Sequence, residues 1–221
     1  MFDSIAKYII NYSDIPTYLV GIYTILIYRR LPQEIKYFSW FIFVSFGVQV
    51  IASILFYNKE NNLQVLHFYT VAGFICLIAF YNKIFSGLIR PSVLWIIAIL
   101  FTIYSVINSI FVQDIRTFNT YALSVEAILV IIFSLATFML LMNDIVREKR
   151  TQIVPSLNWI NAGLFIYYSS SLLVFYFANM INSASNNVLV KYIWFIYALF
   201  SIVMYICFFI GLWKRPRKLV F

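Results

Sequence analysis

The sequence predicts an all-α polytopic membrane protein: one bundle of seven transmembrane helices over residues 1–221, with the amino terminus outside and the carboxyl terminus in the cytoplasm. Three observations predict it. Of the 221 residues 63% are hydrophobic and 11% charged, under half of the roughly 25% charge that a water-facing globular surface uses. Uncharged runs recur at the length a bilayer core demands, about 20 residues in a helix. Lysine and arginine collect on alternate connections between those runs.

The uncharged runs cover 37–58, 61–82, 91–113, 117–143 (broken only by Glu126), 151–190 and 192–213. The longest holds one span and a polar turn. An earlier run, 15–28, is short, but Tyr8 to Arg30 crosses the core if side chains at its ends snorkel. The expected spans are therefore about 12–30, 34–57, 62–85, 91–112, 118–143, 156–181 and 188–213. Proline agrees with this division. Pro16, Pro32, Pro91 and Pro155 stand at or just inside helix starts and Pro216 just beyond the last helix, where a missing N–H does no harm. Polar clusters at Asn58 to Asn62 and Asn182 to Asn187 make the turns between spans.

Orientation follows from the basic residues. One side of an alternating seven-span chain collects Arg29, Arg30, Lys36, Lys83, Arg90, Arg147, Lys149, Arg150, Lys214, Arg215, Arg217 and Lys218; the other collects Lys7, Lys59, Arg116 and Lys191. The richer side is cytoplasmic by the positive-inside rule. Trp40, Trp95, Trp159 and Trp213 fall at the same ends, where an indole prefers the headgroup layer. The net charge of +8 thus reads as topology and not as nucleic-acid binding.

The amino terminus lacks the basic first segment and cleavage site of a secretory signal, and carries Asp3 instead. Phe2, Ile5, Ala6, Ile9 and Ile10 recur at helical spacing. They make either a short helix lying on the outer surface or the frayed start of the first span. Cys76 and Cys207 lie inside different spans at different depths and are expected as free thiols.

Several functions lose their chemistry at this stage. The single histidine, His67, excludes metal, haem or di-iron sites built from several histidines. No G-x-S-x-G, paired acidic motif or glycine-rich phosphate loop occurs. The expectation is a non-enzymatic protein with no cofactor, no metal and no catalytic residues. A retinal Schiff base needs a lysine in the middle of the last span, and 192–213 has none. Leu31-Pro32-Gln33 superficially resembles the motif of PQ-loop sugar transporters, which share the seven spans. Asn61-Asn62 and Asn186-Asn187, 125 residues apart, and Pro32 and Pro155, 123 apart, hint at the repeat such a plan implies. Against it, no proline lies inside a span, where carriers commonly break a helix at the substrate. Gly21, Gly47, Gly73 and Gly163 are expected to be close-packing contacts.

Polar residues within the bilayer carry what functional signal there is. Glu126 stands seven to eight residues into the fifth span. An ionised carboxylate at the centre of a spanning helix costs about 2.5–3.5 kcal/mol on insertion scales, so it should be neutral, paired or facing water. His67, from the same side, is its expected partner. Gln49 and Asn108 reach a similar level, so four helices offer polar groups at one depth, as around an outward-facing cavity. Asn119, Ala122, Glu126 and Thr137 share one helical face, as do Ser45, Gln49 and Ser53; such stripes turn inward. The serine stripe is expected to serve mainly to pack helices, whereas Glu126 is expected to do more, because a carboxylate is an expensive way to join them. Tyr167, Tyr168 and Tyr197 are deep enough to line the cavity. The expected ligand-binding set is Glu126, His67, Gln49, Asn108, Tyr168 and Tyr197.

On the other face, Lys214-Arg215-Pro216-Arg217-Lys218 is suited to anionic lipid. The connection from Asn143 to Ser156 is the expected docking surface for a protein partner. The runs Leu66-His67-Phe68-Tyr69-Thr70 and Leu164-Phe165-Ile166-Tyr167-Tyr168-Ser169, with the closing Leu212-Trp213-Lys214, resemble a group of small seven-span membrane proteins from AT-rich bacterial genomes. The resemblance implies a multi-pass protein of the bacterial inner membrane and adds no chemistry. Two functions of different kinds follow: a sensory or regulatory protein that reads a ligand in the outer cavity and signals to a partner, or a transporter or channel in which Glu126 carries or gates an ion. A structural subunit of a larger complex is the third.

Overall fold

A computed structural model describes residues 2–144, 148, 150–183 and 187–216, and these contain no strand. Its helices are α1 (Phe2–Tyr12), α2 (Ile15–Ile27), α3 (Gln33–Tyr57), α4 (Leu63–Ile84), α5 (Pro91–Ile107), α6 (Thr120–Met142), α7 (Val154–Ser183) and α8 (Asn187–Trp213). A 3-10 turn, Tyr28–Arg30, extends α2, and a π-helical turn, Asn108–Val112, extends α5. Arg147, Lys149, Arg217, Lys218, part of the 143–156 connection and residues 184–186 lie outside the described residues.

Among the described residues, six helices are long and apolar enough to cross a membrane: Gln33–Tyr57, Leu63–Ile84, Pro91–Val112, Thr120–Met142, Val154–Ile181 and Val190–Trp213. The expected first span is the exception. Instead of one helix over 12–30 the chain forms α1, a break at Ser13-Asp14, and the 13-residue α2. With its 3-10 turn α2 is about 25 Å long, short of a hydrocarbon core of about 30 Å. The cause is local. Pro16 has no N–H to offer the Tyr12 carbonyl, so α1 cannot run on, and the Thr17 N–H bonds the Asp14 carbonyl at 3.0 Å to restart the helix. The amino-terminal segment is thus a helix in its own right, packed on α8 with Ala6 buried and Tyr8 exposed.

Neighbours around the bundle follow from side-chain pairs. Tyr18 meets Ser53, and Tyr28 meets Phe43, so α2 and α3 are antiparallel. Phe38 packs on Phe80 between α3 and α4, with ring centroids 5.2 Å apart. Tyr81 of α4 reaches Ser134 of α6, and α6 lies along α7 through Phe138 and Phe165. Phe208 of α8 meets Phe38 of α3 at 4.8 Å, and Phe209 meets Tyr23 of α2, which closes the ring. α5 stands outside this ring, against α4 through Phe74 and Phe101.

α7 packs closely on α8. A Cβ at Gly163 would lie 2.9 Å from Cβ of Cys207, and one at Gly211 would lie 3.0 Å from the Ser156 carbonyl. Small residues let these backbones approach, and van der Waals contact is the main attraction available between helices in lipid. The Ser156 hydroxyl bonds the Gly211 carbonyl across the same seam. Gly47 departs from the expectation of close packing: a Cβ there would meet nothing within 4 Å.

At one end of the bundle Arg150 donates to the Ile84 carbonyl at 3.0 Å, Arg215 donates to the Tyr23 hydroxyl at 3.0 Å, and Lys214 lies 5.6 Å from the Trp159 ring. This is the basic end. The other end carries the α3–α4 turn and its asparagines, and holds the candidate site.

Candidate functional site

At the asparagine-rich end, the α1–α2 junction and the inner faces of α3, α4, α7 and α8 enclose a vestibule of two chambers. The outer one, about 520 Å³, is lined by Asn11, Tyr12, Asp14, Gln49, Ser53 and Asn62 among others. The inner one, about 240 Å³, narrows onto Tyr69, Tyr167, Tyr197 and Tyr205. Asp14, Gln49, Ala52 and Asn62 line both, so the two volumes adjoin.

The inner wall is aromatic because three helices turn tyrosines into it, Tyr69 from α4, Tyr167 from α7, and Tyr197 and Tyr205 both from α8. Tyr167 and Tyr197 share a hydrogen bond of 2.6 Å between their hydroxyls, and Tyr69 shares one of 3.2 Å with Ser45. Tyr205 stacks edge-on against Phe208 at 5.5 Å. Farther toward the basic end, Phe38, Phe41, Phe80, Tyr81 and Phe208 fill the axis and are fully buried. The chamber therefore has a floor.

Among the described residues, Asp14 is the only charged one that lines either chamber. It sits in the turn ahead of α2, and its carboxylate makes no hydrogen bond or ion pair among the described residues. Partial burial lifts this carboxyl above the usual carboxylate range, because the charged form loses water and gains no cation.

Glu126 lies behind the tyrosines. It is 1% exposed and lines neither chamber. Its Oε1 accepts the Tyr168 hydroxyl at 2.8 Å, and its Oε2 has no partner. The α6 stripe does turn inward: Asn119, Ala122, Glu126 and Thr137 are all buried.

The structure separates the expected set into three places. Gln49 and Tyr197 line the vestibule. Glu126 and Tyr168 form the buried pair behind it, so Tyr168 is not a cavity residue. His67 and Asn108 belong to a clasp around the loop 113–119. The His67 Nδ1 is 2.8 Å from the Ser109 hydroxyl and its Nε2 3.1 Å from the Thr117 carbonyl. A carbonyl can only accept, so Nε2 carries a hydrogen and both ring nitrogens are occupied. Asn108 donates to both Gln113 and Asn119 at 2.9 Å, and Asn119 donates on to Thr70 at 3.2 Å. Asn179 of α7 closes the clasp with two bonds to the Phe118 backbone, 3.1 and 3.0 Å. The expected Glu126–His67 pair is therefore replaced by Glu126–Tyr168. Equal depth does not make neighbours when α5 and its loop stand over His67.

Sequence reasoning missed Asp14, Tyr69 and Tyr205. For Asp14 a signal existed, an acidic residue just before Ile15-Pro16, where a helix restarts. The two tyrosines had none, being two of 17 in the chain. No protein-family model, curated protein or solved structure matches the chain.

Proposed function

We propose that this protein is a non-enzymatic sensory or regulatory protein of a bacterial inner membrane, whose vestibule opens outward, reads a small ligand and signals to a partner at the cytoplasmic face. The observation that carries this reading is the floored vestibule. It is open at one end of an apolar bundle and backed by buried aromatic rings.

The helices that line it support a packed bundle more than a rocking carrier. α3, α4 and α8 contain no proline, and α7 has only Pro155 in its first turn. Broken helices at mid-membrane, the usual place for a carrier's substrate, are missing from these four. A route for the signal is also present. α8 lines the inner chamber with Tyr197, Ala198, Ser201 and Tyr205, then runs on to the end where Arg215 meets Tyr23 of α2. Ligand that shifts α8 would move a basic surface suited to anionic lipid or an acidic partner segment.

Transport is the second reading, favoured by one feature, the buried and unpartnered Oε2 of Glu126 behind the chamber. Reconstitution in proteoliposomes separates the two. The sensory reading expects ligand-dependent stabilisation without solute or ion flux. Flux that disappears in Glu126→Gln overturns it.

A further inference from the structure

Among the described residues the vestibule carries one formal charge, Asp14, and no described cation pairs with it. We infer that the vestibule binds a small organic ammonium ion, with the Asp14 carboxylate as counter-ion and the rings of Tyr69, Tyr167, Tyr197 and Tyr205 as its aromatic wall. This rests on the reading above in that it takes the vestibule to be a ligand site.

Charge decides the sign of the ligand. Among the described residues no lysine, arginine or histidine lines either chamber, so an anion would meet only Asp14 and dipoles. A cation would supply the partner that Asp14 lacks among the described residues. The wall decides what kind of cation. A hard metal ion takes six or more oxygens, several of them carboxylates, whereas the described residues of the inner chamber offer no second carboxylate. Its tyrosine hydroxyls are engaged: those of Tyr167 and Tyr197 with each other, that of Tyr69 with Ser45, and that of Tyr205 with Thr17 and Ser45. These tyrosines present their rings, and the negative face of an aromatic ring attracts a desolvated ammonium group.

The amides of Asn11, Gln49 and Asn62 in the outer chamber supply neutral hydrogen-bonding groups on the way in. A neutral polyol could use these amides. It would leave Asp14 buried beside it without a counter-charge, which is the costlier arrangement.

The test is binding to the purified full-length protein in nanodiscs at constant ionic strength, read by thermal shift and by tryptophan fluorescence. Trp194 is the natural reporter, 5.5 Å from the Tyr197 ring. The probes are choline, tetramethylammonium, putrescine and phenethylammonium, with 3,3-dimethylbutan-1-ol and 2-phenylethanol as neutral counterparts of the same shape. The expected result is saturable stabilisation by at least one ammonium ion and none by its neutral counterpart. Asp14→Asn should weaken that binding about tenfold or more, since a charge-assisted contact is lost, and Asp14→Glu should restore much of it. Tyr69→Leu should weaken it and Tyr69→Phe should not, which separates the ring from the hydroxyl.

Equal binding of the neutral counterpart overturns the inference, as does unchanged affinity in Asp14→Asn. Saturation by sodium or calcium alone, or no response to any ammonium probe at millimolar concentration, also overturns it. The failures are distinguishable. Ammonium binding accompanied by uptake into proteoliposomes leaves the inference standing and removes the sensory reading. Stabilisation by a neutral solute, lost in Gln49→Ala, does the reverse.

Discussion

Tyr168 donates its hydroxyl hydrogen to Oε1 of Glu126 at 2.8 Å, across the face where α7 lies along α6, while Oε2 of the same carboxyl has no partner. A buried group half satisfied in this way is costly to disturb from one side and cheap from the other. Glu126→Gln keeps an acceptor for Tyr168 and should leave detergent-solubilised stability within about 1 kcal/mol of wild type. Tyr168→Phe strands Oε1 as well and should cost about 1–3 kcal/mol. Thermal unfolding followed by fluorescence-detected gel filtration measures both.

The clasp around 113–119 should behave as one unit. Asn108→Ala or Asn119→Ala each removes a shared donor and acceptor and should destabilise by about 1–3 kcal/mol. The double variant should cost less than the sum, because the two side chains bond each other at 2.9 Å. His67→Phe should belong to the same set, loosening the loop and raising its hydrogen exchange without altering ligand binding.

Glycines in the α7–α8 seam and on α3 make predictions of opposite sign. Gly163→Val and Gly211→Val force Cβ atoms against Cys207 and the Ser156 carbonyl, and overpacking of this kind costs about 1–3 kcal/mol. Gly47→Ala meets open space and should stabilise α3 by about 0.5–1 kcal/mol, through reduced backbone freedom in the unfolded chain. Melting temperatures of the three variants test the contrast.

Asp14 predicts a pH dependence. Its folded carboxyl is raised by burial, so the folded state holds this proton more tightly than the unfolded state. The cost to stability is absent below the unfolded value of about 4, grows as pH rises through the window between the two values, and is fully present above the folded one. Asp14→Asn should therefore melt higher than wild type at neutral pH, and the difference should close as pH falls below about 4. Saturating ammonium ligand should reverse the order at neutral pH, since only the wild-type carboxylate gains from it.

Orientation can be read with single cysteines in a background of Cys76→Ala and Cys207→Ala. Asn61 and Leu88 are both exposed, in turns at opposite ends of the bundle. A membrane-impermeant maleimide added outside intact cells should label Asn61→Cys and spare Leu88→Cys. The reverse pattern would put the vestibule on the cytoplasmic side.

The long spans and the inward face of α6 were legible in the sequence because a bilayer admits few solutions. Backbone groups must be satisfied within a helix and charges must stay near its ends, so run lengths and the placement of lysine and arginine encode α3 to α8 almost directly. Glu126 stood out for the same reason, as the acidic residue that no span end explains. Three things were decided only by tertiary structure. α5 stands outside the ring, which hands His67 to the loop 113–119 and leaves Glu126 to Tyr168. The break before Pro16 is local, but only the packing of the α1–α2 junction against α3, α4 and α8 places Asp14 in the vestibule wall. Four tyrosines from three helices, α4, α7 and α8, converge on one chamber. Periodicity reports which face of a helix turns inward. Which neighbour that face meets depends on the order and rotation of the helices around the ring, and no single helix carries that information.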